Sequence, residues 1–201
     1  MKTGMHFVFP ATTKVFFGAG QLKNLHTLPM PGKKAMIVIS NGKSTRANGY
    51  LDRTEAELKQ AGVEYVVLDN VQPNPLKASV EEGAKFANDN NCDFIVALGG
   101  GSVMDAAKIM AINATNPGDL WDYATGRTGK GKPAVNNPLP WIAITTTAGT
   151  GSEVDAAGVI TNPETNEKLG IGDPRAFAVY AIVDPELMTS VPPQFTAYQG
   201  F

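Results

Sequence analysis

Three consecutive glycines, Gly99-Gly100-Gly101, stand between an apolar run, Phe94–Leu98, and a stretch with helical spacing, Ser102–Asn113. A run that is apolar throughout reads as a strand buried on both faces, as in parallel sheets covered by helices. Val103, Ala106, Ala107 and Met110 fall on one face of the helix that follows. Entering a helix through glycines lets the backbone approach a ligand closely and adopt turn conformations that side chains resist. The helix tip adds free N–H groups and the positive end of its dipole, which suits a phosphate. A ligand-free alternative is a tight turn in which Ser102 caps the helix and Asp105 completes a capping box. Capping does not call for three glycines in a row, which favours the phosphate.

The same alternation extends along the chain. Strands are predicted at Ala35–Ile39, Tyr65–Leu68 and Trp141–Thr145, and helices at Tyr50–Ala61 and Leu76–Asn90, the first closed by Gly62. The β-α-β-α-β-α-β order predicts an α/β fold, a doubly wound parallel sheet forming a Rossmann-like domain. Ala124–Pro140, rich in Gly, Lys, Asn and Pro, reads as a long surface loop. Gly158–Thr161 and Lys168–Ile171, joined by Asn162-Pro163-Glu164-Thr165-Asn166, read as a hairpin. Val179–Val183 is a further strand, and Pro192-Pro193 opens a last helix.

Composition narrows the class. With 43% hydrophobic and 18% charged residues the chain reads as globular. A formal net charge of -2 gives no global pull toward nucleic acid or an anionic membrane. No apolar run reaches the ~20 residues that span a bilayer, and Met1–Pro10 lacks a leader's apolar segment. The single Cys92 excludes an internal disulfide framework. A cytoplasmic location is the expectation.

A second glycine-rich segment, Thr145–Glu153 (TTTAGTGSE), follows the Trp141–Thr145 strand and should share the sheet edge of the first, where open α/β sheets bind ligands. Its hydroxyls could hold phosphate or ribose oxygens, or it could be a plain Thr/Gly turn. The G-x-G-x-x-G spacing of the ordinary dinucleotide fold is absent, so Asp69, after the second strand, reads as a loop residue. Two P-loop lookalikes fail: Gly126–Lys132 is followed by Pro133 where Ser or Thr is required, and Gly42-Lys43-Ser44 has Ile37 at the first-glycine position. His6 and His26 lack carboxylates at ligand spacing and read as surface or packing residues. Cys92 reads as a structural thiol.

Taken together, Gly99–Lys108 (GGGSVMDAAK), Thr145–Val154 (TTTAGTGSEV), Ala181–Gly200 and the opening Pro10–Leu22 resemble the iron-containing (group III) alcohol dehydrogenases over nearly the whole chain. The resemblance implies a cofactor domain over 1–184 and, at 185–201, the beginning of an all-helical metal-binding domain whose ligands would follow Phe201. It assigns Gly100, Gly101, Ser102 and Asp105 to the pyrophosphate and nicotinamide-ribose region and Thr146, Thr147 and Thr150 to the second cofactor loop. Asn74 and Lys168 match further cofactor positions. NAD-preferring members carry an Asp where this chain has Gly42, flanked by Lys43 and Ser44, so NADP(H) is expected over NAD(H); a plain turn glycine is the alternative. Fe²⁺ (or Zn²⁺), a small primary alcohol or aldehyde, and a homodimer or higher oligomer complete the implied enzyme. Rivals are a glycerol-dehydrogenase or dehydroquinate-synthase relative and a non-catalytic nucleotide-binding fragment.

Overall fold

The structure is a computed structural model that describes residues 12–200; Met1–Ala11, with His6 and the start of the Pro10–Leu22 motif, and Phe201 lie outside the described residues. In chain order the elements are β1 (Lys14–Phe17), β2 (Lys34–Ser40), α1 (Ser44–Ala47), α2 (Tyr50–Gln60), β3 (Glu64–Val71), α3 (Lys77–Asp89), β4 (Phe94–Gly99), α4 (Gly101–Thr115) and β5 (Trp141–Thr145). They continue with β6 (Ala157–Asn162), β7 (Glu167–Gly172), β8 (Tyr180–Val183) and α5 (Pro193–Gly200). Six strands pair in the spatial order β1-β8-β5-β4-β2-β3, every pairing parallel. β6 and β7 form a separate antiparallel hairpin. The predicted doubly wound α/β architecture is therefore present.

Alternate residues of the central strands feed two cores, as a pleat with period two requires. Met36, Val38, Ile95, Ala97 and Ala143 pack with α3 and α4 on one face. Ile37, Ile39, Val96, Leu98 and Ile144 pack with Tyr50, Leu51 and Leu58 of α2 on the other. β4 is buried at all of its residues, as its unbroken apolar run requires. α2 stops where Gly62 turns to φ +71. There the Gly62 amide donates to the Lys59 carbonyl at 3.0 Å and the Val63 amide to that of Leu58 at 2.9 Å, a Schellman closure.

Two expectations need correction. α4 is not one-faced: Val103 to Ile112 are buried except Asp105, because the β6–β7 hairpin covers the side away from the sheet. β3 runs on to Val71, paired with Ser40 after an irregularity in register, so Asp69 belongs to a strand and not to a loop. Function depends on one consequence of this topology. β2 and β4 are neighbours, yet β2 leads to α2 on one face and β4 to α4 on the other. Diverging connections of this kind open a crevice at the carboxyl ends of the two strands.

Candidate functional site

The three glycines lie at that crevice, and approach distance, not dihedral angle, is what demands them. None has positive φ; Gly100 is extended at φ −89 and ψ −170. The expectation of turn conformations closed to other residues is therefore not met. A β-carbon on Gly99 would stand 2.6 Å from Val103 Cγ2, one on Gly100 2.9 Å from Thr147 Oγ1, and one on Gly101 3.2 Å from Thr150 Cγ2. The backbone of the first loop thus lies against the threonines of the second. The Val103 and Met104 amides both donate to the Gly100 carbonyl, at 3.0 and 3.1 Å. This leaves the Gly101 and Ser102 N–H groups at the helix tip with no acceptor inside the helix.

The capping alternative is not realised. Gly100 is the N-cap and no side chain caps the helix. Asp105 instead accepts from Ser152 Oγ at 2.6 Å and from the Val159 amide at 3.0 Å. One turn on, the fully buried Lys108 ammonium donates to the Ser152 carbonyl (3.0 Å), Ser152 Oγ (2.9 Å) and the Ala157 carbonyl (2.6 Å), and also to Asp155. Asp105 and Lys108 therefore fasten the end of the second loop and the start of the hairpin to α4. That loop is also held by the Thr146 amide on the Gly99 carbonyl (3.0 Å) and by Thr145 Oγ1 on the Thr147 carbonyl (2.9 Å). Sequence reading missed Lys108 as a positioning group; a lysine among alanines on a buried helix was the available signal.

Three adjoining clefts follow the carboxyl edge of the sheet. The central one, about 230 Å³, is bounded by Gly100, Gly101, Ser102, Thr147 and Pro73. It shares Ser40 with a cleft of about 340 Å³ beside Gly42, Lys43, Arg46 and Asp69. On the other side it shares Thr147 with a cleft of about 190 Å³ beside Ser44, Thr146 and Tyr50. Gly42 and Ser44, read together from the sequence, thus line different clefts. Asn74 and Lys168, 94 residues apart, do meet: Lys168 Nζ donates to Asn74 Oδ1 at 2.7 Å, with Asn74 in the left-handed region at φ +54.

Of the residues set aside, His26, Cys92 and the lysines of the false P-loop each have a local environment that accounts for them. His26 pairs with Glu57 through Nδ1 at 2.7 Å. Burial pushes the Cys92 thiol above its ordinary value, which keeps it protonated and inert. Lys130 and Lys132 of the false P-loop both pair with Asp122, at 2.5 and 2.6 Å. Among the described residues no group of three or more His, Cys, Asp or Glu could hold a metal ion. The described residues therefore supply no metal site of their own.

A family model described as iron-containing alcohol dehydrogenase matches residues 12–185. The probable NADH-dependent butanol dehydrogenase 1 of Bacillus subtilis is 36% identical over 193 residues, 96% of this chain and 49% of that protein. The NADPH-dependent butanol dehydrogenase of Clostridium saccharobutylicum is 36% identical over 200 residues, 98% of this chain and 49% of that protein. The solved structure of NADH-dependent butanol dehydrogenase A from Thermotoga maritima superposes with a TM-score of 0.86 at 31% identity, over 96% of this chain and 48% of that one. The chain spans about half the length of the curated relatives it matches. With its glycine loops, its sheet and its matched length in accord, the chain belongs to the iron-containing alcohol dehydrogenase family.

Proposed function

We propose that this chain supplies the NADP(H)-binding part, residues 1–184, of an alcohol dehydrogenase or aldehyde reductase whose helical part opens at 185–201. The whole protein would interconvert a small primary alcohol, of the butanol kind, and its aldehyde. The observation that carries this reading is the run of three adjoining clefts along one sheet edge, with the α4 tip at the middle one. An elongated ligand with its anion at the centre suits that run, because a helix N-terminus favours negative charge.

Gly100, Gly101 and Ser102 would hold the pyrophosphate. Thr147 and Thr150 would close on it from the opposite loop, which their closeness to Gly100 and Gly101 supports. Thr146 and Ser44 would bound the ligand in the cleft they share, while Asp105, at the nicotinamide-ribose end by resemblance, would act by holding Ser152 and the Val159 amide in place. Asn74 and Lys168 would act as one hydrogen-bonded pair at the rim. The bound nucleotide supplies the hydride acceptor, and the protein supplies binding and orientation.

The preference for NADP(H) rests on Gly42. It is outside the left-handed region, and a β-carbon there would meet nothing closer than Ser40 Oγ at 3.5 Å. The turn therefore does not require glycine, and a side chain could begin there without a clash at its β-carbon. Its absence leaves Lys43 beside a cleft open to a 2′-phosphate. Titration of the chain with NADPH and NADH, read by nicotinamide fluorescence, tests this. NADPH should bind about tenfold more tightly, from one charge-assisted contact, and Gly42→Asp should erase the difference. Equal affinities in the unaltered chain contradict the preference.

A further inference from the structure

We infer that Arg46, paired with Asp69 in the free protein, is a specificity-determining residue for the nucleotide's 2′-phosphate. The inference rests on the NADP(H) reading and deepens it. It starts from a mismatch between sequence and space. Of the polar residues near Gly42 in sequence, Ser44 faces the cleft with Thr146 and Thr147, whereas Arg46 and Lys43 line the cleft with Gly42. Two cations and one carboxylate thus surround that opening.

Arg46 Nη2 donates to Asp69 Oδ2 at 2.7 Å. Among the described residues the guanidinium makes no other hydrogen bond. Its side chain is 51% exposed and that of Asp69 59% exposed, so both are within reach of a solute. Asp69 lies on β3, the strand beside β2, two residues before its end at Val71. Left bare, it would repel a phosphate dianion. Paired with Arg46 it is neutralised, and the guanidinium presents a planar donor fork beside the cleft. Such a fork matches phosphate oxygens better than an ammonium does. Exposed pairs of this kind are weakly held, so a dianion can draw the guanidinium from the carboxylate. With NADH the carboxylate stays available to a hydroxyl. Arg46 is absent from the resemblance-based assignment because a short helix carries it round to the neighbouring cleft.

The test is direct binding of NADPH and NADH to the chain and to two variants, Arg46→Ala and Asp69→Asn, again by fluorescence. Arg46→Ala should weaken NADPH about tenfold and leave NADH within about twofold. Asp69→Asn should raise the ratio of NADPH to NADH affinity by about threefold or more, since it removes a negative charge from the cleft. Should Arg46→Ala fail to fold, Arg46→Lys carries the test: it keeps the charge, loses the planar fork and should weaken NADPH alone by about threefold. A parallel loss of both nucleotides in Arg46→Ala, or an unchanged ratio in either variant, overturns the role of Arg46. Failure of the unaltered chain to bind NADPH at all overturns the nucleotide reading itself, and so is distinguishable.

Discussion

The Thr147 hydroxyl oxygen lies 2.9 Å from the point where a β-carbon on Gly100 would stand. This one approach joins the loop after β4 to the loop after β5 and sets the width of the central cleft. Gly100→Ala should force Thr147 aside and cost about 1–3 kcal/mol in NADPH binding, by the usual penalty of overpacking. Gly101→Ala, with 3.2 Å to Thr150 Cγ2, should cost less. Neither glycine has positive φ, so both variants should fold. Isothermal titration of the two variants beside the unaltered chain checks the order of affinities.

Lys108→Met should destabilise the chain by about 2–4 kcal/mol. A buried cation with two carbonyl acceptors, a hydroxyl and a carboxylate is removed, and its partners lose their donor. Asp155 is 55% exposed and can rehydrate, which keeps the loss at the lower end for a buried pair. Ser152→Ala should lose less, because the lysine keeps three of its four acceptors. Urea unfolding of both variants measures the difference.

Asp184, immediately after β8, is fully buried and accepts from the Gly20 amide (3.0 Å), the Leu22 amide (3.1 Å) and the Glu186 amide (3.0 Å). It ties the turn after β1 to the end of β8. Asp184→Ala should orphan all three donors and cost about 3 kcal/mol, at the unsatisfied-donor penalty. A lowered midpoint in thermal unfolding is the expected reading.

Asp173 gives stability a pH dependence. The Arg175 guanidinium, donating at 2.8 and 2.7 Å, holds its carboxyl below the ordinary 3.8. A carboxyl depressed on folding contributes stability that is present above the unfolded value and lost as pH falls through the folded one. Stability should therefore decline below about pH 4, and Asp173→Asn should make that decline shallower. Arg175 also donates to the Ala134 carbonyl at 2.8 Å, so the 124–140 loop should loosen over the same pH range. Urea midpoints between pH 3 and 6 (about that range spans the carboxylates) read it.

Much of the sheet was legible because its strands are apolar runs punctuated by glycine and proline: β4 and β5 match their predicted runs to within a residue. The glycines of the first loop were legible as a place of close approach, but what they approach was not. A sequence shows that a side chain is missing, not which threonine fills the space. Lys108 and Arg46 were hidden because their partners lie more than 20 residues away, at Ser152 and Asp69. Asn74 and Lys168 were each marked by resemblance, yet only the fold shows that they touch. The outer side of α4 misled because a hairpin 40 residues later covers it; long-range burial of this sort leaves no local period to read.

The most direct measurement is a crystal structure of the chain grown with NADPH. The pyrophosphate should lie against the Gly101 and Ser102 amides, opposite Thr147, with the 2′-phosphate in the cleft of Gly42, Lys43 and Arg46. A nucleotide bound elsewhere, or a central cleft closed by its own threonines while NADPH is in excess, would contradict the assignment of this sheet edge as a dinucleotide site.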